Sequence, residues 1–142
     1  MIQILTSKLL TPKYERDIHD LFKQLSPNKK QNSIKALLSD PNNSLIFACY
    51  FTENKITGIA SMCTYKVISG YKGWIEDVVV DTNNRGLGIG KKIITALINY
   101  GKELELSEIY LFTEEEKKAA IHLYEQLDFK QKHSRLYNLK LK

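Results

Sequence analysis

The chain has 142 residues, enough for one domain with a two- or three-layer core and too few for two ordinary domains. Its 43% hydrophobic and 26% charged residues are the balance of a folded globular chain and exclude a disordered or fibrous one. The net charge of +5 comes from lysines and arginines scattered from Lys8 to Lys142 without a dense basic arm. That scatter fits a solvated surface, or attraction of a small polyanion, and argues against nucleic acid as a partner. No apolar run reaches the length of a membrane span, and Met1–Leu5 lacks the basic start and long apolar stretch of a signal peptide, so a cytoplasmic protein with no membrane partner is expected. Cys49 and Cys63 fall in predicted strands and read as free thiols. His19, His122 and His133 stand apart without ligand spacing, so no metal is expected.

In chain order, Ile2–Leu5 alternates as a short strand. Thr11 and Pro12 offer an N-cap and a proline at the first helical position, and Tyr14, Ile18, Leu21, Phe22 and Leu25 recur at helical spacing until Ser26-Pro27-Asn28 breaks the run. A shorter helix around Ile34, Leu37 and Leu38 is stopped by Ser39-Asp40-Pro41-Asn42-Asn43. Ser44–Phe51 and a run from Ile56 to about Tyr65 form a predicted hairpin, in which Gly58 marks a bulge or a close backbone approach. Tyr71–Val80, ending in three valines, suits a strand buried on both faces. Ile89, Ile93, Ile94, Leu97, Ile98 and Leu104 then give the clearest helical face in the chain. Glu108–Phe112 is the next strand, and the intervening helix makes a parallel crossover the simplest connection. Glu115–Leu127 returns to a helix with Ala120, Leu123, Tyr124 and Leu127 on one face, and Phe129–Leu141 is predicted as a closing strand from the alternation of Tyr137, Leu139 and Leu141. The sum is a mixed α/β sheet in one domain spanning residues 1–142, without internal repeats or linkers.

The segment Arg85-Gly86-Leu87-Gly88-Ile89-Gly90-Lys91 joins the Val78-Val79-Val80 end of one strand to the start of the long helix. Three glycines let backbone N–H groups converge on a helix's first turn, where unpaired donors and the helix dipole favour an anion. A dinucleotide fingerprint would need its third glycine where Lys91 stands. A nucleoside-triphosphate loop would need a glycine at Arg85 and a hydroxyl residue at Lys92. What fits is Arg85-x-x-Gly88-x-Gly90, which resembles the acetyl-CoA signature of the GNAT superfamily of N-acetyltransferases. The order of elements is similar to that fold from Ile2 to Leu141: a mostly antiparallel sheet with a splayed parallel pair and helices on both faces. The resemblance implies acetyl-CoA as co-substrate, its pyrophosphate on the amides of residues 85–91 and its pantetheine arm beside Val78, Val79 and Val80. It also implies an amine acceptor on a small molecule or peptide, and leaves a homodimer open. A CoA-binding sensor or partner-docking module without turnover is the rival reading.

Acetyl transfer to an amine requires an uncharged amine and a proton for the departing thiolate. Glu76 and Asp77 are adjacent carboxylates in an otherwise apolar strand, facing opposite sides if that strand is regular. Each is either paired with a cation or pointed outwards, or else one takes the proton of the acceptor ammonium. Glu76 is the choice for that base, because Ile75-Glu76-Asp77-Val78 looks like the strand of polyamine-type and hexosamine-phosphate-type members, where acidic residues line the acceptor side. Tyr124 lies in a stretch that resembles the family's late Ala-x-x-x-Tyr-x-x-x-Gly-Phe motif, whose tyrosine protonates the thiolate; taken alone, it reads as a core tyrosine with its hydroxyl at the edge. Here Asp128 replaces the motif's glycine, and Lys117 stands where the family often has asparagine. A covalent cysteine route is disfavoured, because neither Cys49 nor Cys63 has a basic partner evident in the sequence.

Overall fold

A computed structural model describes residues 1–142, which fall into two compact units, Met1–Phe112 and Thr113–Lys142. In the first unit the strands pair in the order the chain makes them: β1 (Ile2–Leu5), β2 (Leu45–Thr52), β3 (Lys55–Val67), β4 (Gly70–Val80) and β5 (Glu108–Tyr110). The first three junctions are antiparallel, and only β4 with β5 is parallel, the crossover through the intervening helix expected as the simplest connection. α1 (Pro12–Leu25) begins as its sequence predicts, with Thr11 Oγ1 accepting from the Tyr14 N–H at 3.2 Å and Pro12 at the first position. It is tied to the β2–β3 turn through Asp17, which accepts from the Ile56 N–H, and through Lys13, which donates to the Asn54 carbonyl.

Two apolar layers sandwich the sheet. On one face Ile18 and Leu21 of α1 meet Phe47, Cys49, Phe51, Ile59 and Val79, while α2 (Ile34–Ser39) adds partly buried Ile34, Leu37 and Leu38. On the other lies α3 (Ile89–Glu103), whose Ile89, Ile93, Ile94 and Leu97 are all buried. Gly58 explains how closely α3 approaches: an added Cβ would stand 2.7 Å from Ile93 Cδ1 and 2.8 Å from Ile89 Cγ2. The glycine thus serves close approach and also borders a bulge, the two roles expected of it, since the register shifts between Tyr50, paired with Gly58, and Phe51, paired with Ile56. No helix is long and apolar enough to cross a membrane.

The second unit departs from expectation in two places. α4 spans Lys118–Gln126, three residues later than predicted, because residues 114–117 make a turn in which the Lys117 N–H bonds the Glu114 carbonyl. Residues 129–141, predicted as a strand, form none, and Leu136, Tyr137, Leu139 and Leu141 are exposed. Alternation tells which face of a strand would be buried, but a strand also needs a partner ladder. This segment intersperses its apolar residues with Lys130, Lys132, Arg135, Lys140 and Lys142, leaving little apolar surface to drive docking.

Candidate active site

β4 and β5 stay paired for only three residues, Lys72 to Glu108, Gly73 to Ile109 and Trp74 to Tyr110. β4 then runs on to Val80 with no strand on that side, so its backbone from Ile75 onward borders an opening. The carboxylates lie where the pairing stops. Glu76 sits opposite Ser61 and Val79 opposite Ile59, so Asp77 and Val78 together face the single residue Ala60. This is a β-bulge, and Asp77 adopts the left-handed conformation, with φ of 53°. The premise of a regular strand therefore fails. Ile75 and Val79 would share a face of a regular strand, yet Ile75 pairs with Met62 and Val79 with Ile59, which point to opposite faces. The extra residue inverts the alternation, and the two acids are not segregated to opposite sides.

Electrostatics agree. The Glu76 carboxyl is raised above its ordinary pKa by burial and then by the Asp77 charge, against the opposing pull of Lys29. Asp77, although an exposed residue overall, is also raised by desolvation and likewise eased by Lys29. Cys63, opposite Trp74 in the ladder, is raised by burial and by both acids. One lysine from the α1–α2 loop, one thiol and two acids thus share a neighbourhood on the α1 face of the sheet. Cys49 is pushed up to about 12 by burial alone and belongs to the core. The sequence reading missed Lys29, since nothing in a Lys29-Lys30 doublet distinguishes a site lysine from a solvated one, and took Cys63 as a free thiol without placing it beside the acids. It also missed Trp74, although two-residue spacing from Glu76 puts both on one face.

Past the bulge, the turn is anchored before the glycines begin. Asp81, buried, accepts from the Gln24 side chain at 3.2 Å and from the Asn83 N–H at 3.3 Å, while Gln24 Oε1 accepts from the Thr82 N–H at 3.0 Å. The final turn of α1 thereby holds the start of the loop. Arg85 Nε donates to the Val80 carbonyl at 3.4 Å. Gly86 and Gly88 both take left-handed backbone, φ 80° and 76°, and an added Cβ on either would meet nothing within 4 Å. The space before the loop is open, and the glycines are required by conformation. Gly88 caps α3 without a side chain, and its carbonyl accepts the helix's first bond, from the Lys92 N–H, so the amides of Ile89, Gly90 and Lys91 have no intrahelical acceptor. From this end a hollow of about 510 Å³ runs along the flank of α3, bordered by Gly88, Lys91, Lys92, Thr95 and Asn99 and by Ile2 of β1. Of the valines, Val79 is buried in the α1-side core, so only its backbone is offered to the opening, while Val78 and Val80 are half-buried.

In the second unit Tyr124 is buried on α4, and burial raises its phenol. Its ring meets Phe129 edge-on at 5.9 Å, and Phe129 donates its N–H to the Tyr124 carbonyl across a turn in which Asp128 adopts φ of 68°. Aspartate thus fills the left-handed turn that glycine fills in the motif.

A five-stranded mixed sheet with one parting parallel pair, joined through a glycine-rich turn and a helix, defines an acetyltransferase-type fold. The chain belongs to the acetyltransferase (GNAT) family, whose profile matches residues 7–129. It is 27% identical over 95 residues, 67% of its own length, to a protein of Pyropia yezoensis described as the uncharacterized N-acetyltransferase ycf52, of which it spans about half (53%). Among solved structures it is similar to an aminoglycoside acetyltransferase, meta-AAC0020, from an uncultured soil sample, with TM-score 0.80 and 25% identity over 99% of this chain and 96% of that one. It is also similar to a protein of Bacillus halodurans described as a transcriptional regulator, with TM-score 0.74 and 26% identity over 99% of this chain and all of that one.

Proposed function

We propose that the protein transfers an acetyl group from acetyl-CoA to a primary amine of a small molecule or peptide, by direct attack in a ternary complex in the cytoplasm. The observation that carries the reading is the pair of left-handed glycines, Gly86 and Gly88, opening onto the unpaired amides of Ile89, Gly90 and Lys91. This cradle has donors, a helix N-terminus and empty space for a pyrophosphate. Arg85 and Lys91 add positive charge, and the free backbone edge of β4 through Val78 and Val80 offers hydrogen bonds to an amide-bearing pantetheine arm.

At the far end of that edge the acceptor arrives as an ammonium, which has no lone pair for attack. Glu76, its basicity raised by burial, takes the proton directly or through water, with Asp77 holding the cation. The amine nitrogen then bonds the thioester carbonyl carbon, loses its second proton to water as the carbon–sulfur bond breaks, and the thiolate takes a proton for which we assign Tyr124 through the family motif. The neighbour described as a transcriptional regulator favours a second reading, a CoA-binding sensor without turnover. Thiol release from acetyl-CoA across a panel of amines separates the two. The transfer reading expects release, with a Glu76→Gln variant slowed near neutral pH and partly recovered at alkaline pH, where more acceptor is already neutral. Tight acetyl-CoA binding with no release for any amine would favour the sensor.

A further inference from the structure

The face of β4 that carries Glu76 also carries Trp74, two residues earlier and about 7 Å away along the strand. Trp74 is half-buried and sits where β4 and β5 part. Its ring lies 5.6 Å from that of Tyr110 and 6.2 Å from that of Phe112, the latter at 61°. Phe112 is 60% exposed. A phenylalanine so placed is not core: its ring is held by Trp74 on one side and open on the other. An exposed phenylalanine packed on a half-buried tryptophan beside a polar site offers an apolar surface to a ligand. The charge beside this patch narrows what it takes. Glu76 and Asp77 outnumber Lys29, the one cation acting on both, and Lys72, whose ammonium lies over the Tyr110 ring, is matched by Glu108 at 4.0 Å, so the local balance is negative and disfavours an acceptor bearing phosphate or carboxylate.

We infer that Trp74 and Phe112 form the wall that selects the acceptor, and that the acceptor is an amine carrying an apolar, ring-sized group and no anionic one. This rests on the reading of Glu76 as the residue that receives the amine. With the ammonium on the carboxylates, a substituent of two or three carbons spans the distance to Trp74, and its ring packs against the two aromatics while the cation takes the acidic end. An aliphatic amine of the same head group but no ring leaves the wall in water.

Trp74 is the only tryptophan in the chain, so its fluorescence reports occupancy of the wall whether or not turnover occurs. Titration with 2-phenylethylamine should perturb that signal saturably, with a Kd at least about tenfold below that of ethylamine, the lower end of discrimination by an apolar pocket. Phe112→Ala, at an exposed position where truncation spares the fold, should shrink the gap between the two amines by about fivefold or more. Equal affinities for the two amines, an unchanged gap in Phe112→Ala, or tighter binding of glucosamine 6-phosphate would each overturn the inference. Thiol release, measured on the same amines, keeps the two readings apart. A ring preference in fluorescence without release leaves the wall standing and removes the transferase, and release without a ring preference does the reverse.

Discussion

Gly58→Ala offers a test of how the sheet sets the height of the anion cradle. Gly58 pairs with Tyr50 on β2 and with Val80, the last residue of β4, while Ile89, the first residue of α3, packs over it. Both ends of the loop therefore rest on one residue. The new Cβ would lie 2.7 Å from Ile93 Cδ1 and 2.8 Å from Ile89 Cγ2, against an ordinary carbon contact of about 3.5–4.0 Å, so roughly 1 Å of movement is needed. Ile93 is fully buried and has nowhere to swing, which leaves lifting the N-terminal turn of α3 as the cheapest response. Overpacking of this kind costs about 1–3 kcal/mol. At roughly 3 °C per kcal/mol for a chain of this length, the midpoint should fall by about 3–9 °C. A cradle displaced by that much should also bind acetyl-CoA roughly tenfold or more weakly, while turnover of S-acetylpantetheine, which lacks the pyrophosphate, should change far less. Ile93→Val deletes the clashing Cδ1, so in a double-mutant cycle it should restore at least about 1 kcal/mol to Gly58→Ala. Strictly additive losses, or equal effects on both acetyl donors, would refute the account.

Gly88→Val places a β-branched residue at φ of 76°, where it is strained, and fills the open space before the loop; a folded variant with wild-type acetyl-CoA affinity by calorimetry would rule out the cradle. Tyr124→Phe should keep acetyl-CoA affinity and lower turnover by about 10- to 10⁴-fold where chemistry limits the rate. Unchanged turnover would return Tyr124 to packing against Phe129. For Glu76, raised in the folded chain, the native state holds a proton that the unfolded chain has already released above the ordinary carboxylate range, so wild-type stability falls as pH rises through that window. Glu76→Gln, which resembles the protonated acid, should therefore match the wild type in melts at acid pH and gain on it towards neutral pH; a deficit that grows with pH would contradict the sign. Thiol reagents on the native protein should label Cys63 slowly and leave Cys49, pushed up to about 12, unmodified; reaction of Cys49 first would mean that the core around β2 opens.

Most of the first unit was legible because its signals are local. Thr11-Pro12 caps a helix whatever surrounds it, the α3 face repeats at 3.6 residues, and a single helix between two strands makes a parallel crossover the simplest connection, as β4 and β5 adopt. The loop was legible because only glycine takes φ near 80° without cost. What stayed hidden depends on partners far away in sequence. Residues 129–141 alternate like a strand, but no pattern within them states whether a ladder awaits. Lys29 enters the site through the path of the α1–α2 loop, and Phe112 reads as the end of a strand, although pairing of β5 ends at Tyr110.

The bulge at Asp77 is the least legible feature and the one on which the site turns. Periodicity presumes one residue per rung, and the sequence Ile75-Glu76-Asp77-Val78 contains no glycine to announce an extra one. Aspartate, however, is among the few side chains that tolerate the left-handed region, and it does so again at Asp128. The inserted residue has two consequences that no regular strand would give. It turns Val79 into the α1-side core while Ile75 serves the α3 side, so β4 stays anchored on both faces across the distortion. It also keeps two carboxyls in one neighbourhood, where each resists ionisation through desolvation and Glu76 further through its neighbour's charge. A regular strand would have turned one acid towards α3, where burying a charged carboxylate is costly. The strained backbone at Asp77 thus keeps both acids beside the opening between β4 and β5, which is where the proposed transfer needs a base for its ammonium acceptor.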